Sequence, residues 1–212
     1  MLEIKNLCFK EVLKDINLVF HEGEVTVISG PNGSGKTVLF KNILGLLCKT
    51  SGKINYCDTD GSVLDISKNV GALIEDPEFN SWISGMDNLK YLASINGHLD
   101  KEYADSLLKR FDLYKDKDKI VRKYSLGMKK KLGIIQAVME NQKLIILDEP
   151  TSSLDKESIK EFYKLIKELK MDNKIIIMAS HIDEDISFVA DRVIKIDAGK
   201  IINEEVVSHV KE

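Results

Sequence analysis

Two hydrophobic periodicities alternate along the chain. In the first third, apolar residues gather in short strand-like runs: residues 2–7 alternate, 16–20 have the pattern of a half-buried strand, and 25–29 form a short apolar strand. A helix is predicted over 35–47, and 53–57 with 62–66 are predicted to pair as a hairpin around Asp60-Gly61. From 76 to 140 the spacing turns helical. Tyr103, Leu107, Leu108 and Phe111 share one stripe, and Leu132, Ile135 and Val138 or Met139 share another. Apolar strands return at 144–147 and 175–179. Between them lies an amphipathic helix over 156–170, with Ile159, Phe162, Ile166 and Leu169 on its apolar face and Asp155 as its N-cap. Residues 192–196 and 201–202, joined by Asp197-Ala198-Gly199-Lys200, read as a terminal hairpin. Strands alternating with helices predict an α/β fold on a parallel sheet, with a helical insertion.

Composition narrows the class. Of 212 residues, 43% are hydrophobic and 31% charged, enough for a sizeable core and too apolar for a disordered chain. The net charge of −3 lacks the basic excess of a general nucleic-acid binder. No uncharged apolar run approaches the ~18 residues of a membrane helix, and the start, MLEIKNLCFK, reads as a strand and not as a signal peptide. Cys8, Cys48 and Cys57 lack metal-ligand spacing and read as reduced thiols. A compact, intracellular, soluble protein is expected.

Three polar segments carry chemistry. Gly30-Pro31-Asn32-Gly33-Ser34-Gly35-Lys36-Thr37 follows the 25–29 strand and opens a helix, the arrangement in which successive N–H groups cradle phosphate oxygens. The helix N-terminus adds its partial positive charge. Lys36 supplies a cation, worth about 4 kcal/mol against a charge ~4 Å away at an effective dielectric near 20, before desolvation, and Thr37 offers a hydroxyl to Mg²⁺. The second segment is Leu144-Ile145-Ile146-Leu147-Asp148-Glu149-Pro150, a buried strand ending in two carboxylates. Neighbours on a strand face opposite sides of a sheet, so separate roles follow: Asp148 for the Mg²⁺ shell, Glu149 to polarise the water that attacks a γ-phosphate. The third is His181, directly after the 175–180 run. A Gly-rich turn, a pair of strand-end caps and a structural histidine would each account for one segment. All three, however, follow the carboxyl end of an apolar strand, where ligands sit on open α/β sheets.

With these residues in view, the chain resembles the ATP-binding subunits of ABC (ATP-binding cassette) transporters. Tyr124-Ser125-Leu126-Gly127-Met128 stands at the place of the family's signature, Ser152-Ser153-Leu154-Asp155 matches its D-loop, and His181 its switch histidine. The resemblance implies a single P-loop NTPase domain over 1–212. Its core would comprise 1–75 and 141–212, with an N-terminal antiparallel β subdomain, and 76–140 would form a helical subdomain. It further implies ATP and Mg²⁺ as cofactors and a homodimer or heterodimer of cassettes, closing head to tail on two ATP molecules. Each ATP would lie between one phosphate loop, Gly30 to Val38, and the other subunit's Ser125 and Gly127. Ser125 suits a cap for a helix starting near Met128. Also implied are an integral membrane permease as partner, a place on the inner face of the membrane, and no direct nucleic-acid binding.

Several positions depart from the family pattern. Leu126 stands where Gly is usual, Met128 where Gln is usual, and Glu75 replaces the typical Gln in Gly71-Ala72-Leu73-Ile74-Glu75-Asp76-Pro77. A carboxylate at Glu75 is expected to reach Mg²⁺ through water. The N-terminal segment lacks the usual adenine-stacking Tyr; Phe9 is the nearest candidate and equally fits the core. Ile74-Glu75-Asp76-Pro77 and Tyr124 to Met128 together are similar to cassettes of bacitracin- and lantibiotic-resistance exporters. Trp82, on the 78–88 stretch, falls where the family receives its permease, although partial burial suits it equally. Lys129 to Lys131 read as a solvated face. Two other classes compete: a P-loop small-molecule kinase, which has no use for the signature, D-loop and histidine together, and a non-transport cassette acting on nucleic acid or ribosomes.

Overall fold

The computed structural model describes residues 1–58, 61–97 and 99–207. Strands β1 (Leu2–Phe9), β2 (Leu13–Phe20) and β3 (Glu24–Ser29) are followed by helix α1 (Lys36–Ile43), β4 (Ser51–Tyr56), α2 (Ile66–Asn69) and β5 (Val70–Leu73). Helices α3 (Gly85–Ala93), α4 (Lys101–Arg110) and α5 (Leu126–Val138) come next. The chain then runs through β6 (Leu144–Asp148), α6 (Lys156–Met171), β7 (Ile175–Ala179), α7 (Asp183–Val189), β8 (Arg192–Asp197) and β9 (Lys200–Val206).

The strands form two sheets. One is antiparallel, in the order β2-β1-β4; the other has six strands in the order β5-β6-β7-β3-β8-β9, parallel except for β9. Strands β6 and β7 are buried at every position, as their unbroken apolar sequences require of central parallel strands covered on both faces. Alternate residues serve two cores. Leu144 and Ile146 pack with Ile175, Ile177, Ile28 and Phe40 against the antiparallel sheet and α1, while Ile145 and Leu147 join Val27, Met178 and residues of α5 and α6 on the other face. The register aligns the strand ends: Ile28 pairs with Ala179, and Asp148 pairs with the same Ala179, so β3, β6 and β7 end level with one another.

Helices α3, α4 and α5 lie in sequence between β5 and β6. Helix α5 is buried on nearly all sides and presses on β5 so closely that a Cβ at Gly71 would sit 1.6 Å from the Ala137 carbonyl oxygen. Arg110 at the end of α4 grips Glu168 of α6 with both Nη atoms, at 2.6 and 2.7 Å, and reaches Glu161 with Nε.

Three expectations shift. The 35–47 helix ends at Ile43, and the chain turns through Gly45 at φ 70°, with the N–H groups of Leu46 and Leu47 donating to the Lys41 carbonyl. The 53–57/62–66 hairpin forms but is short: Cys57 bridges Val63, the Leu64 N–H donates to the Tyr56 carbonyl at 2.7 Å and the Asp58 N–H to the Ser62 carbonyl at 2.9 Å, and Ile66 already opens α2; Asp60 lies outside the described residues. The lysine triplet is not a solvated face. Lys130 is 3% exposed, and Lys131 is tied to Asp155 at 2.8 Å. No helix among the described residues is long and apolar enough to cross a membrane.

Candidate active site

The 30–37 loop leaves β3 at the level where β6 and β7 end. Gly30 passes so near the backbone of β8 that a Cβ would lie 2.1 Å from the Ile196 carbonyl oxygen, so no side chain fits there. Lys36, 7% exposed, folds back to donate to the Gly30 and Pro31 carbonyls at 2.7 and 3.1 Å. The Ser34 hydroxyl is buried with no hydrogen-bond partner among the described residues. A loop with an orphaned hydroxyl and an ammonium parked on carbonyls fits an oxyanion ligand.

A cavity of about 340 Å³ opens beside this loop, lined among others by Asn32, Gly33, Gly35, Lys36, Thr37, Val38, Glu75, Asp148 and Glu149. Thr37 Oγ1 donates to Asp148 Oδ2 at 2.6 Å. Burial raises the Asp148 carboxyl above its ordinary pKa, and the Thr37 hydroxyl pulls the other way. Glu149 follows β6 with φ 47°, a left-handed conformation that is uncommon outside glycine. This turn ends the strand alternation, so both carboxylates line one cavity instead of facing opposite sides. Their surroundings still differ: Glu149 Oε2 is buried without a hydrogen-bond partner among the described residues, and His181 Nδ1 stands 2.9 Å from it. Hydroxyl, carboxylate and loop thus meet at one end of the sheet, with the histidine contacting the second carboxylate. Three segments far apart in sequence contribute to this one place.

Other expected residues take different positions. Phe9 is 9% exposed, packs in the core beneath the Lys10 ammonium and does not line the cavity; Val12, in the β1–β2 turn, does. The turn between β1 and β2 is short, and Phe9 is held as the last residue of β1, paired with Leu13. Glu75 lines the cavity, at φ 57°, and its carboxylate accepts from Lys41 Nζ at 2.8 Å. Ser125 caps α5, accepting from the Met128 N–H at 3.2 Å, and the helix begins at Leu126 instead of near Met128. Ser125 and Gly127 do not line the cavity; a Cβ at Gly127 would come 2.8 Å from the Ser153 carbonyl oxygen. Leu126 is 53% exposed beside them.

Lys130 is a lining residue that sequence reasoning missed. Its ammonium reaches the Glu75 carbonyl at 3.3 Å and stands 3.9 Å from Asp76, and burial lowers its pKa. The available signal was that Ile134 and Ala137, on the same side of the helix, are apolar, which marks that side too as buried.

Comparison with known proteins gives the family. The model of the family described as ABC transporter matches residues 13–152. The chain belongs to the ABC transporter family. It is an ATP-binding, ATP-hydrolysing cassette of that family. Among its relatives, the lantibiotic transport ATP-binding protein SrtF of Streptococcus pyogenes is 35% identical over 97% of this chain and 90% of its own length. An uncharacterized ABC transporter ATP-binding protein, YdbJ of Bacillus subtilis, is 38% identical over 93% of this chain, which spans 65% of that relative. The bacitracin transport ATP-binding protein BcrA of Enterococcus faecalis is 34% identical over 94% of the chain and 66% of its own length. In fold, a solved ATP-binding subunit of an ABC transporter superposes with a TM-score of 0.88 at 26% identity, covering 98% of this chain and 90% of that one. The P-loop cassette architecture, with its parallel core, antiparallel sheet and helices, is therefore the fold of this chain.

Proposed function

We propose that this cassette powers a separate integral membrane permease of the exporter type, at the inner face of the membrane, and that its cargo belongs with peptide antibiotics or similar amphipathic compounds. The observation that carries the catalytic part is the convergence of Lys36, Thr37, Asp148 and Glu149 on one cavity, with His181 on Glu149. The transport part rests on SrtF and BcrA, whose names assign them to lantibiotic and bacitracin transport.

In this reading, the N–H groups from Gly30 to Val38 and the Lys36 ammonium bind the ATP phosphates, and Lys36 exchanges its carbonyl partners for them. Mg²⁺ fits the donors present: Thr37 Oγ1 and Asp148 Oδ2 are hard oxygens side by side, and this cation takes few protein ligands beside phosphates and water. Glu75, currently held by Lys41, is the third oxygen donor for that shell. When bound, Mg²⁺ neutralises charge on the transferring phosphate. Glu149 accepts a proton from the attacking water, and His181, its Nδ1 2.9 Å from a Glu149 Oε2 that makes no hydrogen bond among the described residues, is placed to orient that carboxylate. The base lies against Val12 and not Phe9.

Ser125 and Gly127 line no part of their own cavity, which favours their use against the ATP of a second cassette in a head-to-tail dimer, whether of two copies or of two related chains. The structural relative MJ0796 is described as a dimeric cassette. The domain divides as core 1–75 and 141–212 and helical subdomain 76–140. Trp82, 69% exposed with the Arg122 guanidinium 4.9 Å from its ring, belongs to the surface that meets the permease. That exposure favours the docking reading over partial burial.

The test is to recover the tagged protein from detergent-solubilised membranes of its native host. A polytopic membrane protein in near-equal amount is the expected companion. Ribosomes, DNA or soluble partners in its place would overturn transport and favour the nucleic-acid alternative. Labelled γ-phosphate passing to a small hydroxyl compound instead of water would return the chain to the kinase class.

A further inference from the structure

Behind the cavity lies a second polar cluster that none of these roles uses. Asp185, on α7, is completely buried. Three hydroxyls from three separate segments donate to its carboxylate. Thr151 Oγ1 and Ser180 Oγ bond Oδ2 at 2.7 and 2.6 Å, and Tyr163 OH bonds Oδ1 at 2.7 Å. A carboxylate sealed from water is costly unless its lone pairs are met, and hydrogen bonds to a charged acceptor are about twice as strong as neutral ones.

The placement of the donors gives the cluster its meaning. Thr151 lies two residues after Glu149, in a turn bound to itself by Ser152 Oγ to the Glu149 carbonyl, 2.8 Å, and by the Leu154 N–H to the Thr151 carbonyl, 3.2 Å. Ser180 immediately precedes His181, and its hydroxyl also accepts from the Ile182 N–H at 3.1 Å. Two of the three bonds therefore grip the loops that present Glu149 and His181 to each other. The third goes to Tyr163 on α6, a helix that contributes nothing to the cavity. The backbone joins the same loops to their neighbours: the Glu149 N–H meets the Ala179 carbonyl at 3.1 Å and the Ser180 N–H meets the Ile28 carbonyl at 3.3 Å.

We propose that Asp185 is a positioning residue for hydrolysis: by binding Thr151 and Ser180 on one oxygen, it keeps the turn after β6 and the loop after β7 in the register that sets His181 against Glu149. The proposal rests on the roles assigned to Glu149 and His181 in the proposed function. It forms and breaks no bond. Its effect is on geometry, where a misplacement of about 1 Å costs on the order of 10²-fold in rate.

The test compares the purified Thr151→Val, Ser180→Ala, Tyr163→Phe, Asp185→Asn and His181→Ala variants, reading ATPase kcat, KM, the Kd of a fluorescent ATP analogue and Tm. Thr151→Val and Ser180→Ala are expected to lower kcat about tenfold each, and Asp185→Asn about 10²-fold, with KM and Kd within about twofold. Tyr163→Phe is expected to lower Tm and keep kcat within about twofold, because its bond to the carboxylate restrains no loop of the site. In the His181→Ala background, Asp185→Asn should cost clearly less activity than it does in the parent protein. Equal losses of kcat from Tyr163→Phe and Thr151→Val would overturn the proposal, as would a full additional loss in the His181→Ala background. If Asp185→Asn does not fold, the contrast between Thr151→Val and Tyr163→Phe decides alone. An unimpaired His181→Ala would instead overturn the underlying reading of the site. An impaired His181→Ala beside a fully active Thr151→Val would overturn only the role of Asp185.

Discussion

Lys36 illustrates how much a single side chain was legible. The Gly-rich spacing and the preceding apolar strand predicted its place, because that combination leaves N–H groups and a cation facing the same space, and the ammonium does lie in the lining of the cavity beside that loop. Its resting partners, the Gly30 and Pro31 carbonyls, are neutral acceptors, which a triphosphate would replace under the proposed function. Lys36→Ala is expected to weaken ATP binding by at least about tenfold while leaving the fold intact, since a charge-assisted contact of roughly 1.5–3 kcal/mol is lost; titration with a fluorescent nucleotide checks this. Residues whose partners come from remote segments were not legible in the same way. Lys130 and Asp185 each look like ordinary solvated charges in the sequence, and only tertiary packing puts one beside Glu75 and the other under Thr151, Tyr163 and Ser180. Phe9 shows the converse. An aromatic near the right place was attractive for adenine, yet the short β1–β2 turn keeps it in the strand and gives Val12 to the cavity.

Among the strands and helices, legibility followed local signal strength. Strands β6 and β7 are unbroken apolar runs and α6 has a full apolar stripe with an Asp cap, so their positions emerged within a residue or two. The four-residue β5, Val-Gly-Ala-Leu, carries too little pattern to be read as a strand and owes its place to pairing with β6 and to α5 lying against it. Gly71→Ala should accordingly cost about 1–3 kcal/mol by forcing α5 off the strand, the range for overpacking a core, and a urea melt measures it. The cap of α6 offers a second check. Asp155 accepts from the Ser158 N–H at 2.9 Å, and the Lys131 ammonium and the cap bonds hold its carboxyl well below the usual carboxylate range. A depressed folded-state pKa gives stability that is present above the ordinary value, about 3.9, and is lost as pH falls from there toward the lowered one. Asp155→Ala should cost about 1 kcal/mol at neutral pH, or roughly 2–4 °C in Tm, and the difference from the parent protein should shrink only below about pH 4. Thermal melts between neutral and acid pH read both effects.

Across the whole molecule, the order of elements was legible because alternating strand and helix periodicities admit few architectures. The pairing of β4 with β1 was not legible. Local turn chemistry around residue 60 pointed to the short hairpin on one edge of β4, whereas the other edge takes a partner from a segment far away in sequence. The surface divides in the same manner between local and distant partners. Trp82 stands exposed under Arg122 and lines no part of the cavity beside the 30–37 loop. Trp82→Ala should leave the ATPase rate of the isolated chain unchanged within about twofold and reduce the permease recovered with it, a comparison made by quantitative co-purification.

The proposed mechanism has Glu149 activating water in a cassette that closes on ATP. The decisive experiment is steady-state ATP turnover of Glu149→Gln, with gel filtration in the presence of ATP. Turnover should fall by roughly 10²-fold or more with ATP binding retained, and an ATP-bound dimer should accumulate. A variant that hydrolyses ATP at the parent rate would remove Glu149 from the chemistry and, with it, the mechanism assigned to this cavity.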